Sequence, residues 1–123
     1  MIVAMNKNLL IFLIVVIAVA GLFLFLSRGG GDKRDLTSFA QCLAGKNITM
    51  YGLKNCPYCR QEKADFGKAF QYVLYIECDA EPQKCLEAKI EAVPAWLWPD
   101  GKRLTGYQSL EKLAGESGCV LPQ

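Results

Sequence analysis

From Leu9 to Leu26 (LLIFLIVVIAVAGLFLFL) no position carries a charged or strongly polar side chain, and after it the pattern changes abruptly. As a helix this run would span about 27 Å at 1.5 Å per residue, close to the hydrocarbon thickness of a bilayer. It therefore reads as a transmembrane anchor over residues 9–26, behind a short tail of residues 1–8. A cleaved signal peptide is the competing reading, because Ala18-Val19-Ala20 imitates a cleavage site. The apolar run continues past that site through Leu22–Leu26, too greasy for the start of a mature protein, so an uncleaved anchor is expected. Residues 27–34 (SRGGGDKR) form a glycine-rich, charged linker.

From Asp35 to Gln123 the apolar positions are spaced as in one small globular domain. Leu36, Phe39, Ala40 and Leu43 make the stripe of a short helix over residues 35–43, with Asp35 as N-cap and Gly45 as the stop. Ile48 to Tyr51 predicts a strand. Cys56 to about Phe70 predicts a helix with Pro57 in its first turn, where the missing N–H does no harm. Tyr72 to Cys78 is β-branched and aromatic and predicts a second strand. A strand–helix–strand order makes these two strands parallel neighbours joined by a right-handed crossover. A turn at residues 79–81 leads to a short helix over Pro82–Ile90. Residues 95–98 and 102–105 predict a hairpin around Pro99-Asp100-Gly101. A last helix starts at Ser109, turns Leu110 and Leu113 inward, and ends near Gly115 or Gly118. The order α-β-α-β-α-β-β-α predicts an α/β fold, a mixed four-stranded sheet flanked by helices.

Charge adds one exclusion. Of the chain's formal +2, the excess lies around the anchor; from Asp35 onward 10 Lys and Arg face 11 Asp and Glu. A domain so near neutrality gives no reason to expect nucleic acid as a partner. Cysteine usage says more. All six cysteines (Cys42, Cys56, Cys59, Cys78, Cys85 and Cys119) lie in this domain, an even count that suits an oxidising compartment. The chain has no histidine, which removes Cys–His nucleophile pairs and every histidine-containing zinc site.

The chemistry concentrates at Cys56-Pro57-Tyr58-Cys59, where a strand runs into a helix. The free N–H groups and dipole of a helix N-terminus favour a thiolate, so Cys56 is the expected nucleophile. Cys59, one turn in, would resolve the mixed disulfide that Cys56 forms. No cofactor beyond this redox-active disulfide is implied. A zinc site from Cys56, Cys59, Cys78 and Cys85 is the alternative; its first two gaps fit, but the last, x6, should be near x2. Tyr58 is expected to be exposed, where it can touch a substrate. Pro94 enters a strand directly after a helix. Spacing alone leaves it either an ordinary trans proline opening that strand or a cis peptide that frees the Val93 backbone for an extended substrate. Trp96 and Trp98 share a strand face and read as core. Cys78 and Cys85 are close enough for a local bridge, while Cys42 and Cys119 bracket the domain and would close a loop of about 77 residues.

These residues are similar to a known group. Cys-x-x-Cys after a strand, then Val93-Pro94 before the next, resembles the thioredoxin superfamily over nearly all of residues 35–119, and the Pro-Tyr between the cysteines resembles glutaredoxins. Residues 39–43 (FAQCL), 49–52 (TMYG), 66–70 (FGKAF), Glu77-Cys78 and 101–111 (GKRLTGYQSLE) resemble more specifically the thioredoxin-like domain associated with bacterial homologues of vitamin K epoxide reductase. The resemblance implies a thioredoxin-like fold, a cis Pro94, disulfide exchange with exported cysteine-containing substrates, and reoxidation by a quinone-linked membrane oxidoreductase. No four-helix reductase domain accompanies it in this sequence, so a separate membrane partner is expected. Thioredoxins proper carry a buried acid six residues before the first motif cysteine and a tryptophan just before it; here those positions are Met50 and Asn55.

The functional expectation is a membrane-anchored thiol–disulfide oxidoreductase that makes or shuffles disulfides in exported proteins. A membrane-tethered reductase of glutaredoxin type and a non-enzymatic thioredoxin-fold adaptor are the alternatives. Only Lys7 and the amino terminus precede the anchor, whereas Arg28, Lys33 and Arg34 come after it, a distribution that points the domain to the cytoplasm. Six cysteines and the family resemblance point it outside. The extracytoplasmic side is the reading adopted.

Overall fold

The computed structural model describes residues 6–27 and 34–123, in two units that divide between Lys33 and Arg34. In the first, α1 runs from Lys7 to Ser27. Its stretch Lys7–Phe25 has a mean hydropathy of 3.0 and is long and apolar enough to cross a membrane, with none of it buried inside the structure. The apolar run anticipated the helix to within two residues at either end. Residues 1–5 of the tail and residues 28–33 of the linker lie outside the described residues.

The second unit contains α2 (Thr37–Gly45), β1 (Thr49–Gly52), α3 (Pro57–Phe66), a 3-10 helix (Gly67–Tyr72), β2 (Leu74–Glu77), α4 (Pro82–Glu87), β3 (Ala95–Leu97), β4 (Arg103–Thr105) and α5 (Leu110–Ser117). The strands form one sheet in the order β2-β1-β3-β4. β1 and β2 are parallel, with Met50 opposite Tyr75; β3 is antiparallel to β1, with Trp96 opposite Met50; β4 closes the hairpin with Leu104 opposite Trp96. Side chains alternate between the faces of a sheet, so that row sorts the core into two halves. Met50 and Trp96, with Tyr75 and Leu104 at the edges, join Phe39, Leu43, Ile48, Cys59, Phe66 and Leu113 in the larger cluster. Tyr51 and Ala95, one position along, join Cys85, Ile76 and Leu97 in the smaller one, which α4 covers. β1 is therefore buried on both sides, and this anchors the end of the strand from which the chain turns into α3.

Several boundaries differ from the pattern-based reading. The helix from Cys56 does not run to Phe70: Gly67 stands at φ 55°, ψ −133°, and the chain continues as the 3-10 segment. Only glycine adopts that backbone readily. Phe66, Ala69 and Phe70 still pack inward, which is why the apolar spacing looked continuous. Asp35 is not the N-cap of α2; Leu36 is, and the Asp35 carboxylate accepts the Thr37 N–H one step earlier. Gly45 is the last helical residue rather than the stop, and Asn47 at φ 55° makes the turn. β1 is shifted one residue along, from the expected Ile48–Tyr51 to Thr49–Gly52; β2, β3 and β4 are shorter than expected, and α4 stops at Glu87 rather than Ile90, where Lys89 turns at φ 54°. Trp96 is fully buried, but Trp98 is only half-buried at the rim, its ring beneath the Lys102 ammonium at 4.8 Å.

α5 begins where the sequence placed it. Ser109 is its N-cap, and its hydroxyl accepts the Lys112 N–H at 3.1 Å; Gly118, left-handed at φ 73°, ends it. Ser109→Ala removes that acceptor and leaves a helix-end N–H without its partner. A loss of about 1 kcal/mol is expected, to be read from the midpoint of urea unfolding.

Candidate active site

β1 ends at Gly52, and a short loop carries the chain into α3. Cys56 occupies the N-cap of α3 with extended backbone (φ −82°, ψ 117°), and Pro57 takes the first helical position. The Cys59 N–H, one of the donors that a helix start leaves unpaired, points at the Cys56 sulfur from 3.1 Å. No acidic residue stands in the first turn to oppose negative charge there. This is the environment in which a sulfur anion at Cys56 would be stabilised. Cys56 is half-buried while Cys59 is fully buried, and the two are joined as a disulfide with Cα atoms 5.2 Å apart. Tyr58, between them, is 62 % exposed.

Opposite this helix start lies the entry to β3. The Val93–Pro94 peptide is cis. Pro94 is buried, its carbonyl accepting the Gly106 N–H at 2.8 Å, and the Val93 carbonyl oxygen lies 3.9 Å from the Cys56 sulfur. Cys56, Cys59, Tyr58, Val93 and Pro94 thus meet in one place although 37 residues separate Cys56 from Val93. Cys42–Cys119 and Cys78–Cys85 are disulfides elsewhere in the domain, with Cα separations of 5.9 and 5.7 Å. The four cysteines weighed as a zinc set therefore sit in two separate bridges.

A dithiol-forming pair at a helix start, facing a cis proline across the β1–α3 junction of a β2-β1-β3-β4 sheet, decides the fold. The domain has a thioredoxin-like fold. No family model matches the chain. Among curated proteins it is similar to the thiol-disulfide oxidoreductase LTO1 of Arabidopsis thaliana, 35% identical over 95 residues, covering 70% of this chain and 25% of that protein. The chain thus spans about a quarter of the length of this relative. Among solved structures it aligns with mitochondrial thioredoxin 3 of Saccharomyces cerevisiae in its oxidised form. That match has a TM-score of 0.42 and 18% identity, over 68% of this chain and 87% of that one.

Two polar features of the thioredoxin-like domain went unread in the sequence. Glu62 is 1 % exposed. Its Oε1 accepts the Trp96 Nε1–H and the Gln108 backbone N–H, each at 2.8 Å, and its Oε2 has no partner among the described residues. Burial raises its carboxyl to about 7, against the pull of those two donors, with nearby Asp65 adding to the rise. The signal was available: Cys59, Glu62 and Phe66 recur at i, i+3, i+7, the buried stripe of α3. The second feature is a cluster behind Cys59. The Tyr75 hydroxyl donates to Glu77 Oε2 at 2.6 Å, the Lys54 N–H donates to Glu77 Oε1 at 2.8 Å, and the Lys63 ammonium lies 3.9 Å from the centre of the Tyr75 ring. Period-2 alternation puts Tyr75 and Glu77 on one face of β2, which is all the sequence could have offered.

Proposed function

We propose that this chain is a membrane-anchored thiol–disulfide oxidoreductase, with Cys56 as the exchanging sulfur and Cys59 as the resolving one. The observation that carries the reading is the Cys56 sulfur at the N-cap of α3, with the Cys59 N–H on it and the cis-proline carbonyl of Val93 beside it. The relative named a thiol-disulfide oxidoreductase supports the same activity. In the oxidising direction a substrate thiolate attacks the Cys56 sulfur, the Cys56–Cys59 bond breaks, and Cys59 leaves with the electron pair. The second substrate thiolate then attacks the substrate's own sulfur in the mixed disulfide. Cys56 departs as a thiolate, the substrate gains a disulfide, and the domain holds the two electrons as a dithiol. Val93 and Pro94 position an extended substrate segment alongside, and Tyr58 contacts it. The substrates are exported proteins with paired cysteines, and a quinone-linked membrane oxidoreductase takes the electrons away. α1 serves as the tether, and the two bridges remote from Cys56 hold the fold.

Cys59→Ser tests the assignment in cells that express the full chain. Without the resolving thiol, Cys56 forms mixed disulfides that have no intramolecular exit, and adducts should accumulate as reductant-sensitive bands on non-reducing gels. Cys56→Ser should give almost none. Equal trapping by both variants would overturn the roles. Adducts with exported proteins and one multispanning membrane protein are expected; wholly cytoplasmic adducts would replace the exported oxidase with a tethered reductase, as the cations at Arg28, Lys33 and Arg34 would suggest.

A further inference from the structure

Cys59 presents a chemical problem that the Cys56 site does not solve. When the disulfide opens, a sulfur with no exposed surface must carry the departing charge or take up a proton. The larger core cluster to which it belongs is made of apolar and aromatic side chains, including Met50, Phe66 and Trp96. A bare thiolate among such groups is strongly disfavoured. The position on β1 that faces this cluster is Met50, which has no proton to give.

The spacing around Gly52 shows where a proton can come from. A β-carbon placed on Gly52 would lie 3.2 Å from the Cys59 sulfur and 3.0 Å from the Tyr75 hydroxyl oxygen. Both atoms therefore border the one space that a side chain at Gly52 would fill. Behind Tyr75 the polar path continues outward. Its hydroxyl donates to Glu77 Oε2 at 2.6 Å, and the Glu77 side chain, 24% exposed, reaches solvent.

Resting on the disulfide-exchange reading above, we infer that Tyr75, backed by Glu77, is the proton conduit of Cys59. The substrate thiolate forms a bond to the Cys56 sulfur and the Cys56–Cys59 bond breaks, leaving its electron pair on Cys59. The Tyr75 hydroxyl turns its proton to the Cys59 sulfur, giving a neutral thiol; its oxygen recovers a proton by way of the Glu77 carboxyl, and Glu77 takes that proton from water. One proton is consumed from solvent for each mixed disulfide formed. In the reverse direction Cys59 attacks and its proton leaves along the same atoms.

The surroundings suit a conduit made of a hydroxyl and a carboxylate. Burial, and then the Glu77 carboxylate, hold the Tyr75 hydroxyl well above its ordinary range, so it remains a hydroxyl throughout physiological pH. Burial alone would raise Glu77, but the Tyr75 hydroxyl, the Lys54 and Asp79 amides and the Lys63 ammonium together hold it below its ordinary range. It is therefore ionised and ready to accept. The charged groups facing the cluster are Lys63 from α3, 4.0 Å from Glu77 Oε2, and the Asp79 carboxylate beyond β2. Glu62, one turn past Cys59 on its own helix, is turned to Trp96 and Gln108 instead.

The test is the rate at which dithiothreitol opens the disulfide of the full chain in detergent micelles, measured by stopped-flow fluorescence between pH 5 and 9. Tyr75→Phe keeps the ring against Lys63 and Phe70 and removes only the hydroxyl. Its maximal rate at neutral pH should fall about tenfold to a hundredfold, the lower range for a positioned proton donor, with the half-saturating dithiol concentration unchanged. Its profile should steepen towards acid pH, because solvent must then deliver the proton. Glu77→Gln still accepts the Tyr75 hydrogen bond but cannot relay a proton, so it should lose rate in the same way, and Glu77→Asp should restore part of it. If Tyr75→Phe misfolds, the Glu77 pair decides. An active wild type whose Tyr75→Phe and Glu77→Gln variants keep rates within twofold at every pH overturns the conduit alone. A wild type inert to dithiols overturns the exchange reading beneath it.

Discussion

Replacing Cys42 and Cys119 together with alanine is expected to lower the domain's stability by about 4 kcal/mol. The bridge closes a sequence separation of 77, and the entropy that a cross-link removes from the unfolded chain grows with the logarithm of the loop. The Cys78–Cys85 bridge spans a separation of only 7 and by the same relation contributes about 2 kcal/mol. For a domain of this size the larger figure is a substantial part of the total, since small domains are stable by only about 5–15 kcal/mol. Urea unfolding of the full chain in micelles should show the midpoint of the Cys42/Cys119 double variant well below that of the Cys78/Cys85 one. The reverse order would mean that local strain, and not loop closure, sets what each bridge contributes.

Glu62→Gln is expected to stabilise the domain at alkaline pH and to remove a pH dependence that the native protein carries. The carboxyl ionises near 4.5 when unfolded and near 7 when folded, because burial disfavours its charge. Below about pH 4.5 both states hold the proton, and the native contribution is at its fullest. As the pH rises from there to 7, the unfolded chain gives up a proton that the folded one keeps, so stability declines; above 7 it levels off, lower by about 3 kcal/mol. Glutamine keeps an oxygen for the Trp96 and Gln108 donors and has no charge to bury, although its amide hydrogens lack a partner. Urea midpoints taken from pH 4 to 8 should fall for the wild type and stay level for the variant. Parallel curves would show that the carboxyl ionises normally in the folded state.

The fold was more legible than the site, for reasons that particular residues make plain. Ile48–Tyr51 and Tyr72–Cys78 could be read as parallel strands because an amphipathic helix of crossover length lies between them. Ser109 marked the start of α5 by its local backbone chemistry, while its end was left between Gly115 and Gly118, and Gly118 is the residue that takes the left-handed turn. The length of α3 was overread because Phe66, Ala69 and Phe70 face inward in α and 3-10 geometry alike, and only the backbone at Gly67 distinguishes them. Cys78 and Cys85 are near neighbours in the sequence while Cys42 and Cys119 bracket the domain, and the structure joins each of these pairs. The isomer of the Val93–Pro94 bond was another matter. Intrinsic preference favours trans by less than about 1 kcal/mol, a margin that no local window of sequence decides. Glu62 and Tyr75–Glu77 were missed for the opposite reason. Charged and hydroxylated residues on an amphipathic element are assigned to water by habit, and their burial depends on partners 34 residues away at Trp96 or 23 away at Lys54.

The bridge between α2 and the residue just past α5 has a mechanical side. The domain's first and last residues lie together, since Arg34 donates from its guanidinium to the Pro122 carbonyl at 3.1 Å. A pull applied between the two ends would first part that contact, then unwind at most the segment from Arg34 to Cys42. At Cys42 the load crosses the covalent bond to Cys119 and leaves by the last few residues. The sheet, α3 and the Cys56–Cys59 pair all lie within the bypassed loop. Tension between the ends can thus draw out only the residues outside that loop, while the Cys56–Cys59 pair carries none of the force.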